Sequence, residues 1–246
     1  MLAPFVSLAS VLLVALILPV EGIAPPFGFV GDLIVVLYLL AIPGIAAMIG
    51  GSASANPYGS VGASREMMLL LSYELPLVTA LFTAVVKTSS LQLTGILSYQ
   101  LQNGALALSA SGFVALCASL LAIQAKLSFA PFDIPDAKTE IVAGPYTEYS
   151  GPLLALFRLA HATLLFVCSW LVATVFLGGL VVDFSSAFSL MQSLALDAAK
   201  LLAPLLFFSV FKAINPRARI DQALKWFWLY LTAFALIGLA LAFVRW

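Results

Sequence analysis

Charge is scarce in this chain. Only 9% of its 246 residues are Asp, Glu, Lys or Arg, where a soluble domain carries about a quarter. That scarcity excludes a water-soluble globular fold and a disordered chain, since neither a hydrated surface nor a solvated coil can be built from so few charges. Eleven basic and eleven acidic residues cancel, so no net charge steers the protein to a polyanion, and nucleic acid is not an expected partner. Histidine occurs once, at His161, and cysteine twice, at Cys117 and Cys168. Both cysteines sit in apolar runs, which leaves no disulfide framework and no metal-ligand spacing. No phosphate-binding loop, nucleophile elbow or dinucleotide fingerprint is present.

What the chain has instead is hydrophobicity: 63% of residues are apolar or aromatic and the mean hydropathy is +1.12. A membrane-crossing helix needs about 20 mostly apolar residues. Seven segments meet this to varying degrees: about Ala3 to Val20, Phe29 to Ile49, Arg65 to Val86, Ala105 to Gln124, Gly151 to Leu177, a short one from Ala198 to Phe211, and Gln222 to Val244. The expected fold is all-α, a polytopic membrane helix bundle of about seven transmembrane helices forming a single domain over 1–246. The first segment lacks the basic leader of a signal peptide and is read as a span.

Lys and Arg set the orientation. Arg65, Lys126, Lys138, Lys212, Arg217, Arg219 and Lys225 fall on one side, against Lys87, Lys200 and Arg245 on the other. The first side is expected to face the cytoplasm, with the N-terminus inside, the C-terminus outside, and cytoplasmic loops at 50–64, 126–150 and 212–222. Asp183 and Asp197 are expected in the outer loop before the short sixth span. The loop at 50–64 is rich in Gly, Ser and Ala, with Asn56-Pro57 as a turn signal. The loop at 126–150 carries Asp133, Asp136, Glu140 and Glu148. By composition it is either a solvated acidic segment or a docking surface; Pro131 and Pro135 stiffen it and lower the cost of ordering on a partner.

A few charges fall inside apolar runs, where ionisable residues usually face a protein interior or a wet cavity. Glu74 precedes Pro76 by two residues. It is either a proton-relay or cavity-lining group, or a side chain that snorkels or pairs with Arg65. Arg158 and His161 are three apart and so share a helix face; His161 is either a packing residue or part of the same path.

The stretch from Ala130 to Phe157, APFDIPDAKTEIVAGPYTEYSGPLLALF, closely resembles the loop typical of the complex I subunit 1 family. Ser72-Tyr73-Glu74 after Gly62-Ala63-Ser64-Arg65, and Pro216-Arg217-Ala218-Arg219-Ile220-Asp221-Gln222, resemble two further blocks of that family. The resemblance spans nearly the whole chain. It implies a membrane-anchoring, proton-coupling subunit of an ion-translocating oxidoreductase, an integral protein of a prokaryotic cytoplasmic membrane. It implies that the cytoplasmic loops cradle a small iron–sulfur subunit and a large hydrogenase-like subunit, and that antiporter-like and small membrane subunits lie alongside in the lipid bilayer. It implies no cofactor bound by this chain alone; iron–sulfur clusters, and any nickel or quinone, belong to partners or an interface. By the same resemblance Glu74, Asp133, Asp136, Glu140 and Glu148 inherit a proton path, and His161, Arg158 and Lys126 are expected to belong to it as well. Arg65, Glu66, Asp136, Glu140, Tyr149, Arg217, Arg219 and Asp221 are then expected at the partner interface.

The family usually has eight spans, and Ala3-Pro4-Phe5 resembles the start of its second, so the first is expected to be missing. Quinone-linked members commonly carry Arg, Glu and Glu where this chain has Phe129, Lys126 and His161. The sequence is in these respects more similar to the version in energy-converting membrane-bound nickel–iron hydrogenases and related sulfur-reducing complexes. Two other readings stay open: a subunit lining a quinone chamber, and, in a different class, a stand-alone ion transporter or a purely structural anchor. No inverted repeat supports the transporter.

Overall fold

The computed structural model describes residues 2–20, 28, 31–181 and 187–244. Its regular elements are helical: α1 (Ala3–Ile17), α2 (Asp32–Ser52), α3 (Pro57–Thr88), α4 (Leu93–Asn103), α5 (Ala110–Lys126), the short α6 (Lys138–Ile141), α7 (Gly151–Phe176), α8 (Ala187–Ile214), α9 (Ile220–Lys225) and α10 (Thr232–Phe243). A π-helical segment, Trp226–Leu231, joins α9 to α10, so that 220–243 runs as one rod. Among the described residues five helices are long and apolar enough to cross a membrane; α1 and α5 are apolar but shorter, at 15 and 17 residues. At 1.5 Å per residue those two reach about 22–26 Å, short of a hydrocarbon core of about 30 Å. Leu13, Leu71, Phe166, Leu206 and Ile237 are exposed along these rods, as a lipid-facing surface requires. The chain is an all-α polytopic membrane protein.

The long α3 is the central element. It packs on α2, α5 and α10; α1 packs on α2 and α7; α8 lies against α7 and is the least enclosed span. The start of α3 is fixed by Asn56, whose side-chain oxygen accepts from the Tyr58 amide at 2.9 Å, with Pro57 in the first turn. The expected turn at Asn56-Pro57 is thus a helix cap. Because α2 runs on to Ser52 and α3 begins at Pro57, only residues 53–56 connect them, and most of the Gly/Ser-rich stretch is helical. The last connection is likewise shorter than 212–222, at residues 215–219.

Two elements differ from the sequence reading. The sixth span is not a short segment at 198–211 but the 28-residue α8, which includes Asp197. The Asp197 carboxylate accepts from the Val181 amide at 2.9 Å and lies 3.6 Å from Lys200, whose ammonium donates to the Gly179 carbonyl at 2.7 Å. These charges interrupt the hydropathy of the run without interrupting the helix, since they serve the backbone that leaves α7. Asp183, Phe29 and Arg245 lie outside the described residues. Helix α4, which the hydropathy pattern does not announce, folds back at the end of α3. Gln100 secures it: its amide donates to the carbonyls of Thr174 and Val175, and its oxygen accepts from the amides of Gly178 and Leu106.

Candidate functional site

The acidic stretch from 127 to 150 folds onto the ends of α2, α3, α7 and α9, at the end of the bundle that carries Arg65 and Arg217. Glycine makes this possible. A Cβ at Gly62 would lie 2.7 Å from Gly144 Cα and from two Pro145 atoms; one at Gly51 would lie 2.9 Å from Pro145; one at Gly50 would meet the Tyr149 hydroxyl at 2.5 Å. The turn Gly144–Tyr146 therefore sits directly on the backbones of α2 and α3. Tyr146 and Tyr149 both pack edge-on against Phe157 of α7, at 5.1 and 5.0 Å between centroids. Asn56, besides capping α3, donates to Glu148 at 2.6 Å.

Three groupings of the candidate residues result. The first is a polar cleft of about 480 Å³ lined by Arg65, Asp133, Glu140, Arg217, Arg219 and Asp221, with Ile134, Ala137, Ala218 and Ile220 between them. Two ion pairs span it. Arg65 donates to Glu140 at 2.7 Å; Arg217 donates to the Asp133 carboxylate at 2.7 Å and to its backbone carbonyl at 2.9 Å. The Ala218 amide donates to the Pro131 carbonyl at 2.9 Å, tying the strip before α9 to the loop. The hydrogen bond and charge of Arg65 hold the Glu140 carboxyl below its ordinary range. Since Arg65 is committed to Glu140, it is not the partner of Glu74.

The second grouping is internal. Glu66, expected at the partner interface, is only 6% exposed, and Lys126 is 5% exposed. Glu66 Oε1 borders Gly44 of α2, where the Tyr73 hydroxyl also points. The Lys126 ammonium lies over the Tyr73 ring, 5.0 Å from its centroid. It is within electrostatic reach of Glu74, Cys168 and Glu66, and Asp136 reaches Glu66 from the loop. Tyr146, at the foot of the loop, has its phenol pushed well above the usual range by burial and then by the charges of Asp136 and Glu66. Glu74 is half-buried on α3.

The third grouping stands apart. His161 meets Phe129 edge-on at 5.4 Å, and Lys212 of α8 lies 4.1 Å over the same ring. Arg158 is exposed on α7 and makes no ion pair with a described residue. It does not join His161 in one contact, although both lie on one helix. Among the described residues no group of three or more His, Cys, Asp or Glu is placed to hold a metal ion.

Sequence reasoning missed the inward position of Glu66 and the part played by Tyr73. A signal was available: Glu66, Tyr73 and Leu77 recur at spacings that keep one helix face, and all three are buried.

Comparison with known proteins gives a consistent result. The family described as NADH dehydrogenase matches residues 1–243. The chain is 34% identical over 247 residues to an NADH-quinone oxidoreductase subunit of Bacillus cytotoxicus, covering 98% of this chain and 71% of the relative. It is 36% identical over 257 residues to the corresponding protein of Thermomicrobium roseum, covering 98% and 74%. Among solved structures, it superposes on a chain of the membrane-bound sulfane sulfur reductase, an archaeal respiratory membrane complex. The TM-score there is 0.88 at 29% identity, over 98% of this chain and 78% of that one.

Proposed function

Because the chain belongs to the NADH dehydrogenase family, we propose that it is the membrane subunit that anchors and couples the peripheral arm of a complex I-like, ion-translocating oxidoreductase. It is an integral membrane protein related to NADH-quinone oxidoreductase subunits, and its fold is that of a respiratory-complex membrane subunit. The observation that carries the coupling role is spatial. The ion-paired cleft at the loop end stands next to a series of charges leading inward, from Asp133, Glu140 and Asp136 to Glu66, Lys126 and Glu74. Asp136, in the same loop as the cleft, acts on Glu66, so a charge change at that loop residue is felt inside the bundle, where screening by water is weak.

In this reading the loop end faces the cytoplasm, and the residues at 126–150 and 215–219 receive a small iron–sulfur subunit and a large hydrogenase-like subunit. The glycine-seated loop offers them a rigid surface, with Arg219 and Asp221 at its rim. Electrons pass in those partners, which hold the iron–sulfur clusters. Antiporter-like and small membrane subunits continue the bundle sideways. Protons shift along the inward series, with Glu148 and His161 at its edges; Arg158, exposed on α7, lies off it. A hydrogenase- or sulfur-reductase-type assembly is favoured by Lys126, Phe129 and His161, and by the likeness to the sulfane sulfur reductase. The quinone-linked reading keeps support from the names of the relatives, which are NADH-quinone oxidoreductase subunits.

The test is the complex that purifies with this chain in mild detergent. Mass spectrometry is expected to find a small iron–sulfur subunit and a large subunit, with or without two Cys-x-x-Cys nickel pairs. Flavin- and NADH-binding subunits would move the assignment to a quinone-linked complex. The chain alone and intact would remove the coupling role. In the reconstituted complex, Glu74→Gln is expected to lower the number of ions moved per electron; an unchanged ratio would take Glu74 out of the path.

A further inference from the structure

Helix α3 and the rod that begins with α9 both start at the loop end and run side by side through the bundle. The seam between them changes character with depth. At its outer end lies the polar cleft, to which α3 contributes Arg65 and α9 contributes Asp221. One turn further in, the same two elements line a groove of about 440 Å³, with Met68 and Leu71 on one side and Leu224, Lys225, Trp228 and Leu229 on the other. Ligand pockets have volumes of about 300–1,000 Å³. Met68, Leu71, Trp228 and Leu229 are all exposed, so the groove opens sideways at the surface of the bundle. Trp228 and Leu229 belong to the π-helical segment, where the Thr232 hydroxyl donates to the Phe227 carbonyl five residues back, at 2.7 Å. Single π turns inside helices are frequent at functional sites. Tryptophan and tyrosine collect where hydrocarbon meets headgroups, and exposed Trp228 and Tyr230 put that level at the groove.

The charges at the top of the groove are of both signs. Arg65 and Arg217 are committed to Glu140 and Asp133, whereas Asp221 and Lys225 make no ion pair with a described residue. They stand four apart on one face of α9, the spacing at which an acid and a base on a helix can meet. At 1.5 Å per residue Lys225 lies about 6 Å deeper than Asp221. From the membrane outward the seam therefore presents an apolar groove, then a cation, then a carboxylate. That order is complementary to one kind of molecule: an acyl chain, then a phosphate, then a primary ammonium.

We infer that this seam binds one phospholipid of the phosphatidylethanolamine type, with an acyl chain in the groove, the phosphate at Lys225 and the headgroup ammonium at Asp221. The inference goes beyond the coupling role and does not depend on it. Recognition is by the order of the charges. A phosphatidylcholine carries the same phosphate, but its quaternary ammonium has no N–H to donate to Asp221. A phosphatidylglycerol has no cation for Asp221 at all.

The test uses the complex that purifies with this chain in mild detergent, washed free of lipid and titrated with phospholipids that carry a diazirine on one acyl chain. After photolysis, peptide mass spectrometry measures label at residues 68–72 and 224–229, and at the exposed residues Leu13 of α1 and Leu206 of α8 as references. Label in the groove is expected to saturate, at a lower mole fraction for phosphatidylethanolamine than for phosphatidylcholine or phosphatidylglycerol with the same chains, while label at the references rises without saturating. Lys225→Gln removes the cation for the phosphate. One cation near a membrane surface changes binding about fivefold, so the half-saturating amount should rise by about that factor for phosphatidylethanolamine and phosphatidylcholine alike. Asp221→Asn is expected to abolish the preference between those two and to leave phosphatidylcholine unchanged. Leu71→Trp fills the groove and is expected to displace label from 224–229; if it does not fold, the two exposed polar variants decide the matter. Groove and reference label rising in parallel would mean bulk lipid only and would overturn the inference. So would a groove that no probe labels, which would mean that a partner subunit covers it. Equal or stronger binding of either other headgroup, or a preference that survives Asp221→Asn, would overturn it as well.

Discussion

Replacing Gly62 by alanine puts a methyl carbon 2.7 Å from Gly144 Cα, Pro145 N and Pro145 Cδ. Carbon atoms in contact prefer about 3.5–4.0 Å, so the loop must back away by roughly 1 Å. Two of the three obstructing atoms are backbone, and the third belongs to a proline ring, so no side-chain rotation relieves the clash. Overpacking of this kind costs about 1–3 kcal/mol, which is roughly 5- to 150-fold in the ratio of seated to unseated loop. Hydrogen–deuterium exchange over residues 131–150 reads that ratio locally, and faster exchange is expected there with little change in α7 or α10. Ser64→Ala is the control: Ser64 is exposed on the same helix, and its hydroxyl donates only to the Val61 carbonyl. Pro145→Ala in the Gly62→Ala background is expected to restore protection only in part, because the Gly144 Cα and Pro145 N contacts remain. Wild-type protection in Gly62→Ala would refute the claim that glycine contacts seat the loop.

Three further outcomes are expected. Gln100→Leu orphans two carbonyls and two amides where α4 meets the end of α7; at about 1–3 kcal/mol for a buried unpaired group, thermal unfolding in detergent should fall clearly, while exposed Gln102→Leu leaves it unmoved. The Arg65–Glu140 contact should be pH-dependent on the acid side only. The folded carboxyl sits below its ordinary value, so the stabilisation is complete above the usual Glu range of about 4.3 and is lost as pH falls through the lower folded value; loop exchange measured against pH should rise there in the wild type and rise less in Glu140→Gln, where only the carboxylates of Asp133 and Glu148 still tie the loop down. A double-mutant cycle of Arg217→Gln with Asp133→Asn should give a coupling of about 0.2–1 kcal/mol, since both side chains are about one-third exposed; a coupling several times larger would mean that the cleft is drier than its geometry indicates.

The long apolar helices are legible because length and hydropathy are properties of the run itself. Helix α4 is not: it is short, and Gln100, Gln102 and Asn103 make it read as a loop. Its stability comes from Gln100 bonding to a carbonyl 74 residues away, a partner that no local pattern announces. In α8 the difference has the opposite origin. Asp197 and Lys200 read as charges to be kept out of a span, whereas they bond the connector from α7. The motifs of the acidic loop fall together in one region of the fold, yet the pairing within it is not fixed by sequence. Arg65 could have met Glu74 along its own helix. It meets Glu140 instead, 75 residues on.

Adjacent residues on a helix point about 100° apart, and that single fact separates the two halves of the site. Arg65 turns outward to the cleft and the loop, while Glu66 turns inward to α2 and Lys126. One helical step thus joins a surface ion pair to a buried charge cluster on the same rigid element. The loop is held to that element by contacts with no side-chain slack, Gly62 on Gly144 and Gly51 on Pro145. A displacement of the loop therefore cannot be absorbed at its seat. A displacement that moves Asp136 relative to Glu66 changes the interaction of two like charges, and in a medium that screens poorly that change is large. The glycines and the charges are in this sense one device. In the proposed coupling role the first fix the loop to the bundle and the second register its position, and flexible side chains in place of the glycines would loosen that link.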